Sequence, residues 1–463
     1  MTETIVRSTN PTRPDDVVVE TPAAREHDVA KAAEAARAAQ RDWQATAPAA
    51  RSAALSAAAD AVAAASKELT ELMVREVGKP QGEAAGEAAR AVAILRYYAQ
   101  QVLDPDGETY PAPGTTLLMA RRKPRGVAGL ITPWNFPFAI PLWKAAPALA
   151  YGNAVLLKPA PEATACALRL AELLHQSLPA DLLSVVPGEA EAGQAVLAEA
   201  DLISFTGSVG AGAAVREAAA KAGIPAQCEM GGQNASIVLP DADVEATATV
   251  LAGAAMGYAG QKCTATSRVV VVDEDGFAAR FTDALVAAVE AVGVGDPADQ
   301  GVAVGPVITD RAREAVVAAS REAEESGGRV LTGGKAAERD GWFVAPTLVD
   351  GVAPDARVAQ EEVFGPFAAV LTAPDADRAV EVANGVRYGL AAAVFTSNLP
   401  AALDVADRLE AGLVRVNAAT SGVDFYAPFG GEKESSYGPR EQGKAARDFY
   451  TSVRTITVAG SAG

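Results

Sequence analysis

One cysteine in this sequence is placed to act as a nucleophile. Cys263 lies in the segment GQKCTAT. A lone cysteine is more often a small buried apolar residue. Cys166, inside an amphipathic stretch, and Cys228, beside a strand end, fit that description. Cys263 does not. Gly260, Gln261 and Lys262 precede it, Thr264 and Thr266 follow it, and the Lys262 charge beside the sulfur favours thiolate. A cysteine nucleophile needs a base for at least one step. The two histidines, His27 and His175, fall in helical text away from any candidate site loop, which argues against a cysteine–histidine hydrolase. Glu229 is the better candidate. It ends a predicted strand, and Gly231 and Gly232 behind it allow other groups close. Partial burial would raise its pKa into the range useful to a base. Taken alone, a strand-end glutamate is more often simply solvated.

Two further residues sit where a reacting group could be held. Asn135, in TPWNFPF, follows a predicted strand and stands between stiffening prolines. Its amide could donate to a developing oxyanion, a contact typically worth a few kcal/mol, although turn formation is the commoner role of such an asparagine. Ser208, in FTGSVGAG, opens a helix after a strand, and glycines at a helix N-terminus suit a phosphate. The usual dinucleotide fingerprint is absent, and a glycine-rich turn alone is weak evidence.

These residues need a frame. From His27 to Gln101 the text is Ala-rich with charges at helical spacing, which predicts three or four helices. A polar, Pro-rich stretch from Asp104 to Pro113 breaks that pattern. Short β-rich runs then alternate with helical segments: GVAGLITP, NAVLLKPA, LLSVVPG and DLISFTGS. Alternation of this kind implies βαβ units and a parallel sheet, with ligands at the carboxyl ends of the strands. A second α/β series, from NASIVLP to GLVRVN, begins after Gly231 or Gly232. The tail DFYTSVRTITV reads as a helix end and a strand.

Composition limits the possibilities. A chain of 463 residues exceeds one hydrophobic core. With 40 Lys and Arg against 58 Asp and Glu, the net charge is −18, which argues against nucleic acid and anionic membranes as partners. No apolar run is long enough to span a bilayer, and the N-terminus lacks a signal pattern. Three cysteines point to a reducing compartment, with cytoplasmic location as the expectation. They and the two histidines leave no expected metal site.

Taken together, seven strings in order resemble the aldehyde dehydrogenase superfamily across almost the whole chain: PWNFP (133–137), GNAVLLKPA (152–160), FTGS (205–208), EMGG (229–232), GQKC (260–263), EEVFGPF (361–367) and PFGG (428–431). The resemblance implies an α/β, aldehyde dehydrogenase-like fold of two Rossmann-like parallel-sheet domains and a bridging β oligomerisation element. It implies a nucleotide-binding domain of residues 1–105 and 125–231, a catalytic domain of 232–436, and a bridging element of 106–124 and 446–463 that pairs subunits into a homodimer or homotetramer. It also looks as if part of the first β-hairpin were absent. It implies an NAD- or NADP-dependent oxidation of an aldehyde to an acid. Cys263 would be the nucleophile, Glu229 the base, and Asn135 with the Cys263 N–H the oxyanion hole. Trp134, Lys158, Ala160, Pro161, Thr206, Gly207, Ser208, Gly231, Glu362 and Phe364 would surround the cofactor. Phe136, Trp143, Lys262, Thr264 and Phe429 would face the substrate. Glu441 matches a carboxylate assigned to a proton path. Pro161 stands where many NAD-preferring members carry a ribose-binding glutamate, so use of NADP is open. GQKCTATSR and AGLVRVNAATSGVDFYAPFGG look most like the branch acting on α-ketoglutaric semialdehyde (2,5-dioxovalerate), and Lys262, if it faces the channel rather than solvent, would pair with a distal anion. A CoA-acylating semialdehyde dehydrogenase and a catalytically silent relative are the alternatives. The first generally lacks the Glu229 base, and the second predicts loss of residues that are present.

Overall fold

The computed structural model describes residues 4–114 and 116–459. Thr115 and residues 460–463, assigned to the bridging element, and residues 1–3 lie outside them. Strands β1 (Ile5–Asn10) and β2 (Arg13–Pro22) pair antiparallel, with register shifts between Ser8 and Asn10. The expectation of a partial hairpin is corrected here, since both strands form. Four helices follow: α1 (Glu26–Ala45), α2 (Pro48–Ala64), α3 (Ser66–Val77) and α4 (Gln81–Gln101). Alanine loses no side-chain entropy in a helix, and Pro48 begins α2 where a missing N–H costs nothing. On α4 the buried Ala84, Ala88, Ala91, Leu95 and Ala99 recur every three or four residues, so one face packs inward.

Strands β3 (Gly107–Tyr110) and β4 (Leu117–Pro124) pair antiparallel within the stretch expected to bridge. The first parallel sheet comes next. Its strands are β5 (Val127–Thr132), β6 (Ala154–Pro159), β7 (Leu183–Val185), β8 (Leu202–Thr206) and β9 (Ala226–Glu229). Helices α5 (Ala139–Ala150), α6 (Thr164–Leu174), α7 (Ala190–Glu199) and α8 (Val209–Ala222) connect them. The spatial order is β7-β6-β5-β8-β9. The chain therefore reverses its direction of travel between β5 and β8, which opens a crevice beyond the carboxyl ends of those strands.

The second sheet begins at β10 (Asn234–Val238), followed by α9 (Val244–Met256). It adds β11 (Thr266–Val272), β12 (Arg329–Thr332), β13 (Thr347–Asp350), β14 (Phe367–Ala373), β16 (Ala391–Phe395) and β17 (Leu413–Val416), in the order β12-β13-β14-β11-β10-β16-β17. Only β12 runs antiparallel to its neighbour. Each large sheet has its own apolar core. Strands β15 (Tyr388–Gly389) and β18 (Glu432–Lys433) form a two-residue ladder, and β19 (Ser436–Tyr437) returns to pair with β9 of the first sheet. The last strand, β20 (Thr451–Val458), lies antiparallel to β4 from Thr451↔Pro124 to Val458↔Leu117.

The segment between α9 and β11 takes an unusual path. Tyr258 and Ala259 have left-handed φ values of 55° and 52°, and Gly260 follows at 65°. Each such non-glycine residue costs about 1–2 kcal/mol. The cost is offset by hydrogen bonds. Tyr258 N–H donates to Ala303 O at 3.0 Å, Gln261 N–H donates to Tyr258 O at 3.1 Å, and Gln261 Oε1 accepts from Ile308 N–H at 2.8 Å. Gly260 is required for a second reason: a Cβ there would stand 2.0 Å from Gly365 O. Gly260→Ala should therefore cost about 3 kcal/mol or more. Gly253, in α9 with nothing within 4 Å of an added Cβ, is the control, and Gly253→Ala should gain about 0.5–1 kcal/mol. Denaturant midpoints of the two variants test both signs.

Candidate active site

The carboxyl ends of the first sheet meet the amino ends of the second. Asn135 follows β5, Gly207 and Ser208 follow β8, and Glu229 ends β9, whereas Gly231 to Gln233 lead into β10, Cys263 leads into β11, and Glu362 and Phe364 lead into β14. The Asn135 side chain crosses the seam. Asn135 Nδ2 donates to Gln261 O at 2.9 Å. Asn234 Nδ2 donates to the carbonyls of Cys263 and Ala265, both at 2.8 Å, while its Oδ1 accepts from Ala391 N–H. Asn234 thus fixes the turn that carries the cysteine. Sequence reading passed over it, although an asparagine opening an apolar strand is a signal of backbone anchoring.

Cys263 is partly exposed, and Cys166 and Cys228 are buried. Burial pushes the Cys263 thiol up to about 12, and the charges of Glu362 and Glu229 push the same way. Its own backbone N–H pulls in the opposite direction. The expectation that Lys262 favours thiolate is not met. Lys262 Nζ lies 2.8 Å from Glu83 Oε1, with only 14% of the lysine side chain exposed, so its charge is already matched by a carboxylate on α4.

Glu229 is 2% exposed. Burial holds its carboxyl well above the usual carboxylate range, and Glu441 raises it further. Ser436 Oγ donates to Glu229, and the nearby Lys144 and Arg440 partly offset the rise. Behind Glu229, Lys144 is ion-paired with Glu441 and donates to Ser204 Oγ at 2.8 Å. Trp143 Nε1 donates to Glu441 Oε2 at 2.7 Å, and its ring packs on Phe429 with centroids 5.6 Å apart. Trp143 and Phe429, expected to face substrate, are both buried.

Asn135 is buried. One N–H is committed to Gln261 O, the second is left to donate, and Oδ1 has no partner among the described residues. The loop is set by Glu87, whose carboxylate accepts from Phe138 and Ala139 N–H at 2.9 Å each, at the N-terminus of α5. Glu87 also pairs with the buried Lys79, whose ammonium lies 3.9 Å from the centre of the Phe136 ring and 4.5 Å from that of Tyr258. Sequence reading missed this pair.

On the other side of the cysteine turn lie the carboxyl ends of β5, β6 and β8. Thr132 and Thr206, at the ends of neighbouring β5 and β8, have buried hydroxyls with no partner among the described residues. Ser208 caps α8, accepting from Ala211 N–H at 3.4 Å. Lys158 is buried at the end of β6. Burial lowers its ammonium, while Glu189 and Glu162 raise it. A carboxylate is absent at Pro161, but the charge of Glu162, one residue on, is felt at Lys158. Ala160 N–H is used by Thr132 O at 2.9 Å. Glu362 accepts from Gly232 N–H, and burial raises its carboxyl to about 8. It lies so close over Gly231 that a Cβ there would stand 2.0 Å from Oε2. Phe364, at φ 52°, and Trp134 meet edge to face at 5.7 Å.

Unpartnered hydroxyls, a capped helix N-terminus, a buried lysine and a carboxylate at one switch point fit a dinucleotide. The sequence matches the aldehyde dehydrogenase family over residues 1–456. The chain belongs to the aldehyde dehydrogenase family. It is 39% identical over 463 aligned residues to the α-ketoglutaric semialdehyde dehydrogenase of Bacillus subtilis, covering 98% of this chain and 94% of that protein. It is 40% identical to the α-ketoglutarate semialdehyde dehydrogenase of Haloferax volcanii, covering 97% and 94%. Among solved structures it superposes on PnpE in complex with nicotinamide adenine dinucleotide with a TM-score of 0.95, at 34% identity, covering 99% and 95%. An NAD-dependent aldehyde dehydrogenase from Sinorhizobium meliloti gives 0.94 at 34%, covering 98% and 91%. The activity of this family member is NAD(P)-dependent aldehyde oxidation, and its fold is the α/β architecture expected from sequence. No helix among the described residues is long and apolar enough to cross a membrane.

A thiol held up to about 12 carries little thiolate at neutral pH. Iodoacetamide should therefore alkylate Cys263 in the ligand-free protein at pH 8 about a hundredfold or more slowly than a free thiol of pKa near 8.5. The rate should climb with pH. Mass spectrometry of the labelled peptide checks the prediction, and a rate equal to that of free cysteine would contradict it.

Proposed function

We propose that this chain oxidises an aldehyde bearing a distal anion to the carboxylic acid through a thioester on Cys263. The observation that carries the chemistry is the cysteine turn between two recesses. One is lined by Gly232, Glu362 and Phe364, the other by Phe136 and Thr264. Oxidation by hydride transfer needs that arrangement, with acceptor and substrate on opposite sides of the sulfur. The anion rests on the names of the two semialdehyde dehydrogenases reported above.

The Cys263 thiolate, its proton released to solvent, adds to the aldehyde carbon. The carbonyl oxygen becomes an oxyanion, stabilised by the free N–H of Asn135 and the backbone N–H of Cys263. The hemithioacetal gives up its hydrogen as hydride, and a thioester remains on the sulfur. Glu229 takes a proton from water, which attacks the thioester, releases the acid and restores Cys263. A carboxyl raised by burial is a stronger base once ionised, and the Lys144–Glu441 pair offers its proton an onward partner. NAD(P) would be held by Lys158, Ser208 and Glu362, and when bound it accepts the hydride and brings a positive ring into the recess beside Glu362. Cys263→Ala should abolish NAD(P)H production while Cys166→Ala and Cys228→Ala retain it. Glu229→Gln should leave a burst of one reduced cofactor per site and then very slow turnover. Stopped-flow absorbance distinguishes the two, and an undiminished steady state in either variant would remove the residue from its role.

Cofactor choice follows from Glu162. Its carboxylate near Lys158 would repel a 2′-phosphate, so NAD is preferred despite Pro161, with residual NADP use. Glu162→Gln should raise kcat/KM for NADP relative to NAD about tenfold. An unaltered ratio in parallel assays would show that the carboxylate does not reach the ribose. A homo-oligomer formed through the β3–β4–β20 sheet and a cytoplasmic location complete the proposal. The first is supported by Val453 and Val458, exposed on β20, and the second by three unpaired cysteines.

A further inference from the structure

The recess lined by Phe136 and Thr264 is a cleft of about 320 Å³. Its other walls are Glu83, Gly86, Glu87 and Arg90 of α4, Lys262, and Ser421 with Gly422. Residues 83, 86, 87 and 90 are spaced i, i+3, i+4, i+7, so a single face of α4 lines the cleft. Gly86 and Gly422 leave it open, since an added Cβ at either would meet nothing within 4 Å.

Four charged side chains line this cleft, and three are already matched. Glu83 and Lys262 neutralise one another at 2.8 Å. Glu87 is held by Lys79 and by two backbone amides of α5. Arg90 makes no ion pair or side-chain hydrogen bond among the described residues, and it is only partly exposed. A half-buried guanidinium with all five N–H groups uncommitted is unusual, and a planar carboxylate is the ligand its fork fits best. The cation for an anionic substrate is therefore not Lys262, which the sequence favours by adjacency to Cys263. It is a residue far away in the chain, one helix face further out.

We propose that Arg90 is the specificity residue of this enzyme, receiving the distal carboxylate of an ω-carboxylate aldehyde whose carbonyl end lies at Cys263. This rests on the reading of the site as an aldehyde dehydrogenase acting on anionic aldehydes. Charge alone would not require arginine, but bidentate geometry does, so lysine replaces it only in part.

The test compares 5-oxopentanoate with pentanal as substrates for the wild type, Arg90→Met and Arg90→Lys, following cofactor reduction at saturating NAD. Competitive inhibition by glutarate serves as a second readout. The wild type should prefer 5-oxopentanoate, and Arg90→Met should lower its kcat/KM about ten- to hundredfold, mainly through KM. Turnover of pentanal should stay within about twofold of the wild type, which also shows that the variant folds. Inhibition by glutarate should weaken in parallel, and Arg90→Lys should fall between. If Arg90→Met slows both aldehydes equally, Arg90 is structural and the proposal fails. If the preference for 5-oxopentanoate survives Arg90→Met, the carboxylate is held elsewhere: the proposal fails but the anionic-substrate reading stands. If the wild type does not prefer 5-oxopentanoate at all, that reading falls and the proposal falls with it.

Discussion

Everything at this site depends on two parallel sheets meeting edge to edge, the carboxyl ends of one against the amino ends of the other. Backbone carbonyls and amides left unpaired at those ends must find side-chain partners. Asn135 answers Gln261 O across the seam, while on the second sheet's side Asn234 answers the carbonyls of Cys263 and Ala265 and Glu362 answers Gly232 N–H. The same bonds that close the seam hold a cysteine, an amide and two carboxylates on its floor. Precision in the site is thus a by-product of satisfying the backbone. The left-handed run from Tyr258 to Gly260 is the distortion needed to bring the turn to the seam.

The electrostatics of the resting site oppose its own chemistry. The partly exposed Cys263 thiol feels the buried Glu229 and the half-buried Glu362, and the neighbouring lysine is spent on Glu83. Each ionisation makes the next one harder, because the low-dielectric seam screens charges weakly. Such a site favours neutral forms of Cys263, Glu229 and Glu362 together. Lys144 and Glu441 keep the wall behind Glu229 neutral as a pair.

Much of this was legible in the sequence because it is written in local strings. Cys263, Glu229 and Asn135 sit at strand edges flanked by glycine or proline, and βαβ alternation located those edges. The side-chain partners were not legible, since they come from distant helices. Glu83, Glu87 and Arg90 lie in an alanine-rich helix that looks like scaffold, and only their i, i+4, i+7 spacing hints at a shared face. Lys262 shows the limit of arguing from adjacency. Its charge lies beside the cysteine in sequence, yet the fold gives that charge to α4. Pro161 shows the same limit in reverse, because its neighbour Glu162 places a carboxylate whose charge is felt at Lys158. The first hairpin was underestimated because the start looked short beside the family it resembles, yet both strands form. Their stability comes partly from Ser8 Oγ, which donates at 2.6 Å to the buried Glu76, the residue that also caps α6.

The ladder between β4 and β20 joins residues near the start of the chain to its last strand. A ribosome makes β4 well before β20. At about 5–20 residues per second, roughly 330 residues of separation mean a wait on the order of 20–60 s. During that interval β4 has only the short β3 on one side and a bare hydrogen-bonding edge on the other, the kind of surface that recruits strands from neighbouring nascent chains. The charged side chains of Arg121, Arg122 and Lys123 then guard it, since like charges directly opposite discourage a second β4 from pairing in register. The basic run in β4 thus protects a growing chain from its own copies until the final eight-residue strand arrives to cover it.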